Sequence, residues 1–458
     1  MPSPFGGINM LGQAMRVFQR GLEVTGHNIS NVNTTGYSRQ RMQLGAANAE
    51  TYFGVNRYQV GTGVTIQTVS RIRNQFLDRQ MNNAQSDLAR YQTLADNLKQ
   101  VESVFPEPGD QGISNALGKF FDAWSNLSSN PNDSAAQLAV QAAGQTLTLR
   151  VRNTYGSLVD QSTQAQAQMA NTFDEIDGLS KQIADLNKQI VAQGAGGGAP
   201  NDLLDARDNA VEQLSQLIGI QTSVGENGMM TVSAGEMMLV AGTDNVAIPR
   251  TFDAATQTLQ SNGHSYNVSG GQLAGVMQGI VKIDSYRSQL NDFANQLKSQ
   301  INTLHRTGKT SSGATGIDFF ADSNPQTGAA DFDLSASVKA DPAQIVSGTS
   351  GTAGDGGLAL SLSRMRDATL PALGGRSFGH YYSDLVGAVG RDSSTFQSAV
   401  DTQGALVSQI QNQRQAEMGV NLDDEMTNMM QYQRSYQAAA HALTVMSDVS
   451  QDMINIIR

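Results

Sequence analysis

Cysteine is absent from all 458 residues. Without a thiol there is no disulfide framework, no cysteine nucleophile and no thiolate metal ligand. Two explanations stand side by side: a compositional bias, or export in an unfolded state, where stray thiols are a hazard. Aromatics are scarce, at 6% with one tryptophan, so a binding surface built here rests on many polar contacts rather than one aromatic anchor. Basic residues are outnumbered, 30 Lys and Arg against 41 Asp and Glu. A formal net charge of −11 without a basic run argues against nucleic acid and anionic membrane as partners. No stretch reaches the ~18 apolar residues of a membrane span. Residues 1–15 hold neither Lys nor Arg nor an apolar core of secretory length, so the expected export route is a dedicated one without a cleaved signal peptide.

The constellations of catalysis are also missing. His27, His264, His305, His380 and His441 are scattered, with no metal-binding spacing. Residues 194–200 are glycine-rich but lack the lysine of a phosphate loop and read as a linker. Asp202, Asp205, Arg207 and Asp208 form the one dense charged cluster, and its place at a helix start points to capping and ion pairing, with Arg207 reaching a neighbouring helix. No catalytic residue, cofactor site or metal site is expected. Glycosidase carboxylates leave no sequence signature, so a wall-degrading enzyme in the β-rich middle stays open.

What the chain does have is apolar periodicity at its two ends. Ile8, Leu11, Met15, Phe18, Leu22, Thr25, Ile29 and Val32 recur in steps of three and four. So do Met426, Met429, Tyr432, Tyr436, Ala439, Leu443, Met446, Val449, Met453 and Ile456, with Leu422 just ahead. Each set is one stripe of an amphipathic helix with no local surface to cover it. Residues 1–32 carry Arg16, Arg20 and Glu23, net +1; residues 421–458 carry Asp423, Asp424, Glu425, Asp448 and Asp452 against Arg434 and Arg458, net −3. Opposite signs favour pairing the two, with Asn421 and Asp424 at an N-cap.

Between the ends, helical spacing fills 72–105, 112–127, a seam from Met169 to Ile190, 201–217, 272–306 and 381 onward, broken at Gly419. Residues 220–271 switch to short alternating segments separated by turns. The expected fold is multidomain and mainly α: N- and C-terminal helices paired as a coiled coil, a long-helix bundle, and a β-rich central insert. The expected domains are 1–35 with 421–458, mobile in the monomer; 36–217, 272–320 and 376–420 as the bundle with short β segments; 218–271 as the insert; and 321–375 as a Gly-rich β/loop region packed on the core. The alternative for the ends is an ordinary intramolecular helical core.

Asn28-Ile29-Ser30-Asn31-Val32-Asn33-Thr34-Thr35-Gly36-Tyr37-Ser38-Arg39-Gln40 resembles the N-terminal signature of bacterial flagellar axial proteins. Its continuation through Arg39 is most similar to the hook-associated protein 1 (FlgK) family. Further matches run in order: Gly61-Thr62-Gly63-Val64 to Arg71, Phe120-Phe121 to Pro131, Asn201 to Asp208, Gly270 to Leu273, Asn302 and His305 to Phe319-Phe320, and Gly419 to Ala438. Asn74, Gln137 and Gly356-Gly357 depart from the family pattern, and the chain looks short for the family. The resemblance implies a structural protein, secreted to the extracellular flagellum at the hook-filament junction through the type III apparatus. It implies a homo-oligomeric ring of about eleven by analogy with the axial lattice. Implied partners are the hook protein, a second junction protein and an export chaperone on the C-terminal helix. Two readings compete: another axial protein of hook or filament type, and a secreted enzyme or adhesin with an axial-like end.

Overall fold

The computed structural model describes residues 5–34, 36–53, 57–194, 199–310, 312–322 and 328–457. Helix α1 (Phe5–Ser30) leads into strands β1 (Gln40–Ala46), β2 (Glu50–Phe53), β3 (Arg57–Val60) and β4 (Val64–Arg71). Four helices follow: α2 (Gln75–Val104), α3 (Ile113–Ser129), α4 (Ser134–Gly194) and α5 (Asn201–Leu217). Strands β5 (Gln221–Val224), β6 (Met230–Ala234), β7 (Met237–Ala241), β8 (Asp244–Asn245), β9 (Thr251–Asp253), β10 (Thr258–Ser261) and β11 (His264–Asn267) come next. Helices α6 (Gly271–His305), α7 (Ala336–Ala340), α8 (Gly357–Arg364), α9 (Phe378–Met418) and α10 (Leu422–Ile457) complete the chain. The chain is mainly helical, with its terminal helices paired and small antiparallel sheets inserted.

Two compact units emerge, residues 1–86 with 175–248 and 403–458, and residues 87–174 with 249–402. Three of their four boundaries fall inside α2, α4 and α9, where helical periodicity carries no mark of a division, and the fourth falls between β8 and β9. The expected single β insert is also divided. β5–β8 form one antiparallel sheet in the first unit, and β9–β11 a separate one in the second. An alternating pattern reports that a strand has a covered face, not which helix covers it. Asn187 of α4 answers for the first sheet: its amide donates to the carbonyls of Met230 (2.8 Å) and Gly242 (2.6 Å) and accepts from Met230 N (3.1 Å). In the second sheet, Phe252 of β9 packs against the second unit's core.

The second unit concentrates the scarce aromatics. Trp124 and Phe120 of α3 are fully buried with Phe319, Phe320 and Phe332. The Trp124 ring meets Phe120 edge-on at 6.2 Å and Phe319 at 5.4 Å, and Phe320 lies 4.6 Å from Phe332. Asn302 and His305, one turn apart on α6, hold the loop that supplies these rings. Asn302 donates to Phe320 O (2.9 Å) and accepts from the amides of Phe319 (3.0 Å) and Phe320 (2.9 Å). His305 Nδ1 donates to Ile317 O (2.7 Å), while Nε2 accepts from Val346 N (3.1 Å). That arrangement requires a neutral ring. Gln137, at one of the family departures, donates to Ile345 O (3.2 Å) beside it.

Burial pulls the His305 pKa down to about 4, against smaller opposing effects of the Ile317 carbonyl and Asp318. Between pH 6.5 and 4 the unfolded chain therefore binds a proton that the folded chain refuses. The stability His305 contributes is complete above pH 6.5 and is lost as the pH falls through this window, by about 3 kcal/mol at the limit. Urea titrations from pH 7 to 4 are expected to show a steeper loss of second-unit stability in the parent than in His305→Gln. Parallel curves would reject the assignment.

Candidate functional site

The two terminal stripes meet in the first unit. Gly7 lies against Met446, Gly21 against Tyr432 and Asn28 against Glu425, which sets α1 and α10 antiparallel. The line of closest approach is offset from the stripe of large apolar residues. Val17, Gly21, Val24, Thr25 and Asn28 are buried on α1, and Glu425, Ala439 and Ser450 on α10. Thr25 sits in this seam because its hydroxyl donates to Gly21 O at 2.8 Å, leaving no donor unpaired. Ile8, Leu11, Met15, Phe18, Leu22, Ile29 and Val32 flank the seam half-buried, as do Met429, Tyr432, Tyr436 and Leu443. Leu422, Met426, Met446, Met453 and Ile456 stay exposed, Met426 at 56% and Ile456 at 84%. By this register, residues beyond 448 run past Phe5, the first described residue of α1.

A Cβ on Gly21 would stand 2.9 Å from the Tyr432 ring. Gly21→Val should therefore force the helices apart at a cost of about 2 kcal/mol. Faster hydrogen exchange across residues 428–440 is the expected signature, and unchanged exchange would show that the close crossing is not required.

At the base of the pair the axial signature turns inward. Gly36, at φ +81°, reverses the chain after α1. Asn31 shapes that turn, donating to His27 O (3.0 Å) and accepting from the Thr34 hydroxyl (3.1 Å). The buried Asn28 amide donates to Gln40 O (2.9 Å) and Glu425 Oε2 (3.0 Å), and accepts from Tyr37 Oη (2.7 Å) and Gln40 N (2.9 Å). Arg39 Nε donates to Glu425 Oε1 at 2.7 Å. Burial, then Asp205, Asp202 and Glu425, push the Tyr37 phenol well above its ordinary range, keeping it a proton donor. Ser38 binds Asp205 through its amide (3.1 Å) and hydroxyl (2.5 Å), and Arg71 bridges Asp205 and Asp208 at 2.7 Å each. One polar hub thus joins α1, β1, β4, α5 and α10. Asn33 is exposed and makes none of these bonds.

The charged cluster on α5 behaves as ion pairing and packing require. Arg207 reaches Asn187 Oδ1 on α4 (3.0 Å) and Gly228 O (2.7 Å). Asn421 Oδ1 accepts from Asp423 N (2.9 Å), capping α10 ahead of its acidic first turn. Asn74 caps α2 through Phe76 N (3.0 Å), and its amide donates to Glu417 at 2.9 Å, a bond an aspartate could not make. Val17, Val24 and the buried role of Glu425 escaped sequence reading; the steps 17, 21, 24 and 28 were the available signal. No group of residues with metal-binding geometry occurs among those described.

Comparison with known proteins agrees with this layout. Three family descriptions match in chain order: "Flagella basal body rod protein" over residues 8–37, "Flagellar hook-associated protein FlgK helical domain" over 98–320, and "Flagellar basal body rod FlgEFG protein C-terminal" over 416–456. Flagellar hook-associated protein 1 of Bacillus subtilis is 29% identical over 99% of both chains, and that of Escherichia coli 26% identical over 98% of this chain and 99% of its own. The solved flagellar hook junction protein FlgK from Burkholderia pseudomallei shares the fold, with a TM-score of 0.63 at 17% identity, over 74% of this chain and 99% of that one. The rod-type matches cover only the two ends, and the middle matches the FlgK helical domain, which sets aside the hook- or filament-type alternative. These relatives are structural flagellar proteins, not enzymes. From its paired ends through its helical middle, the chain is similar over nearly its full length to the flagellar hook-associated protein 1 (FlgK) family.

Proposed function

We propose that this chain is a structural junction component that connects flagellar hook to filament as a ring of about eleven copies. The observation that supports it most directly is the uncovered half of α10. Met426, Met430, Met453 and Ile456 are apolar side chains that α1 leaves exposed. Methionine suits a face that must fit a hook lattice on one side and a filament lattice on the other. Two helices joined along one narrow seam make a marginal pair, so residues 1–35 and 421–458 are mobile in the free chain and order on assembly. Before assembly the same face of α10 binds an export chaperone. The neighbours in the axis are the hook protein and a second junction protein.

Cells carrying the chain ended at residue 420 are expected to build hooks that hold no filament. Filaments still attached to those hooks would overturn the reading. Limited proteolysis of the isolated chain should cut the two ends first; resistance equal to that of the second unit would reject their mobility.

A further inference from the structure

A cavity of about 590 Å³ in the first unit is lined by Arg71, Arg73, Arg79, Arg207 and Arg414 with Asp78, Asp208 and Glu212. Three of the guanidiniums are spoken for. Arg71 bridges Asp205 and Asp208, Arg73 meets Asp78 at 3.0 Å, and Arg414 reaches Asp78 and Glu212 at 3.3 Å each. Arg207 is buried and hydrogen-bonds only to neutral oxygens, and burial, with a smaller effect of Arg71, lowers its pKa against the opposing charge of Asp208. Arg79 is exposed and makes no ion pair among the described residues. Even with Asp205 counted behind Arg71, positive charge is in surplus here on a chain of net −11. Two exposed apolar side chains stand nearby: Val224 in the lining, and Phe76 one turn ahead of Arg79 on α2.

The complementary surface lies on the same chain. Asp423 and Asp424, in the first turn of α10, are exposed and make no ion pair among the described residues. They stand between exposed Leu422 and Met426. We propose that the arginine-lined cavity of one copy receives Asp423 and Asp424 of a second copy, with Leu422 and Met426 against Phe76 and Val224. The contact uses two different surfaces, so it is head-to-tail: every copy is donor and acceptor at once, which closes a ring when the rotation closes. It rests on the assembly reading above and assigns that assembly a specific contact. Complementary charge also selects against wrong neighbours.

The absence of cysteine makes the test clean. Arg79→Cys and Asp424→Cys are placed on separate chains, co-expressed in cells lacking the unsubstituted protein, and hook-filament complexes are treated with a short bifunctional thiol reagent. A cross-linked dimer about tenfold above that from either variant alone is expected; contact within one chain cannot produce it. Both variants present in the complexes without the dimer would overturn the docking and leave ring assembly standing. If the unsubstituted chain itself were missing from the complexes, the assembly reading would fall first. Charge reversal is the second measurement. Arg79→Glu should lower incorporation by about tenfold, and Asp424→Arg on the same chains should restore it. Incorporation unaffected by Arg79→Glu, or lost without rescue because another acidic partner fills the cavity, also overturns the proposal.

Discussion

Replacing Glu425 by alanine is expected to loosen α10 from α1 more than any other single change in the terminal pair. Glu425 is 2% exposed, and its two oxygens take one bond each from Asn28 and Arg39. Removing the carboxylate leaves one N–H of the buried Asn28 amide, whose other bond to Gln40 O remains, and the largely buried Arg39 guanidinium without their acceptor, and the loss of one partner from such a pair costs about 3 kcal/mol. In assembled complexes, where the terminal pair is ordered, amides of residues 422–436 should then exchange about a hundredfold faster. Glu425→Gln preserves an acceptor without the charge and should lie between the two. A cycle with Arg39→Met separates the pair from the surroundings: coupling below about 0.5 kcal/mol would mean that the hub is a crowded surface rather than a tie.

Trp124→Ala is the largest expected effect in the second unit, about 4 kcal/mol. The indole is fully buried among Phe120, Phe319 and His305, so its removal opens a void ringed by rigid rings rather than pliable side chains. With two compact units in the chain, one melting temperature would blur the result. Exchange of the α3 and α6 amides is the sharper measurement. As the one tryptophan, Trp124 also gives the parent a fluorescence signal confined to this unit. Trp124→Phe should cost roughly half as much; a loss under about 1 kcal/mol for alanine would show that the cluster closes over the gap.

Sequence periodicity located most of this architecture because each long helix ends at a chemically loud break. The 72–105 stretch stops before Pro106, the Met169–Ile190 seam at the glycine linker, and the last two helices at Gly419. The seam between α1 and α10 was less legible, since Gly21 and Asn28 at its centre carry no apolar signal. Nothing local distinguishes Glu425 from Asp423 and Asp424 either, although one is buried and two are solvated. What separates them is Asn28, 397 positions away. The same limit hid the division of the β insert, which depends on Asn187 and Phe252 choosing sheets in different units.

The link between α9 and α10 is three residues, Gly419 to Asn421, and α10 beyond it runs for 36 residues, about 54 Å. A helix released from α1 but held at so short a tether is a rigid arm on a pivot. Its far end, at Met453 and Ile456, sweeps a wide volume while its base stays fixed. A docked neighbour inside that volume meets the apolar face at an effective concentration set by arm length rather than by the number of free copies. In the assembly proposed above, the growing structure would capture arms already attached to bodies beside it, and order would spread from copy to copy without each end being found anew from solution.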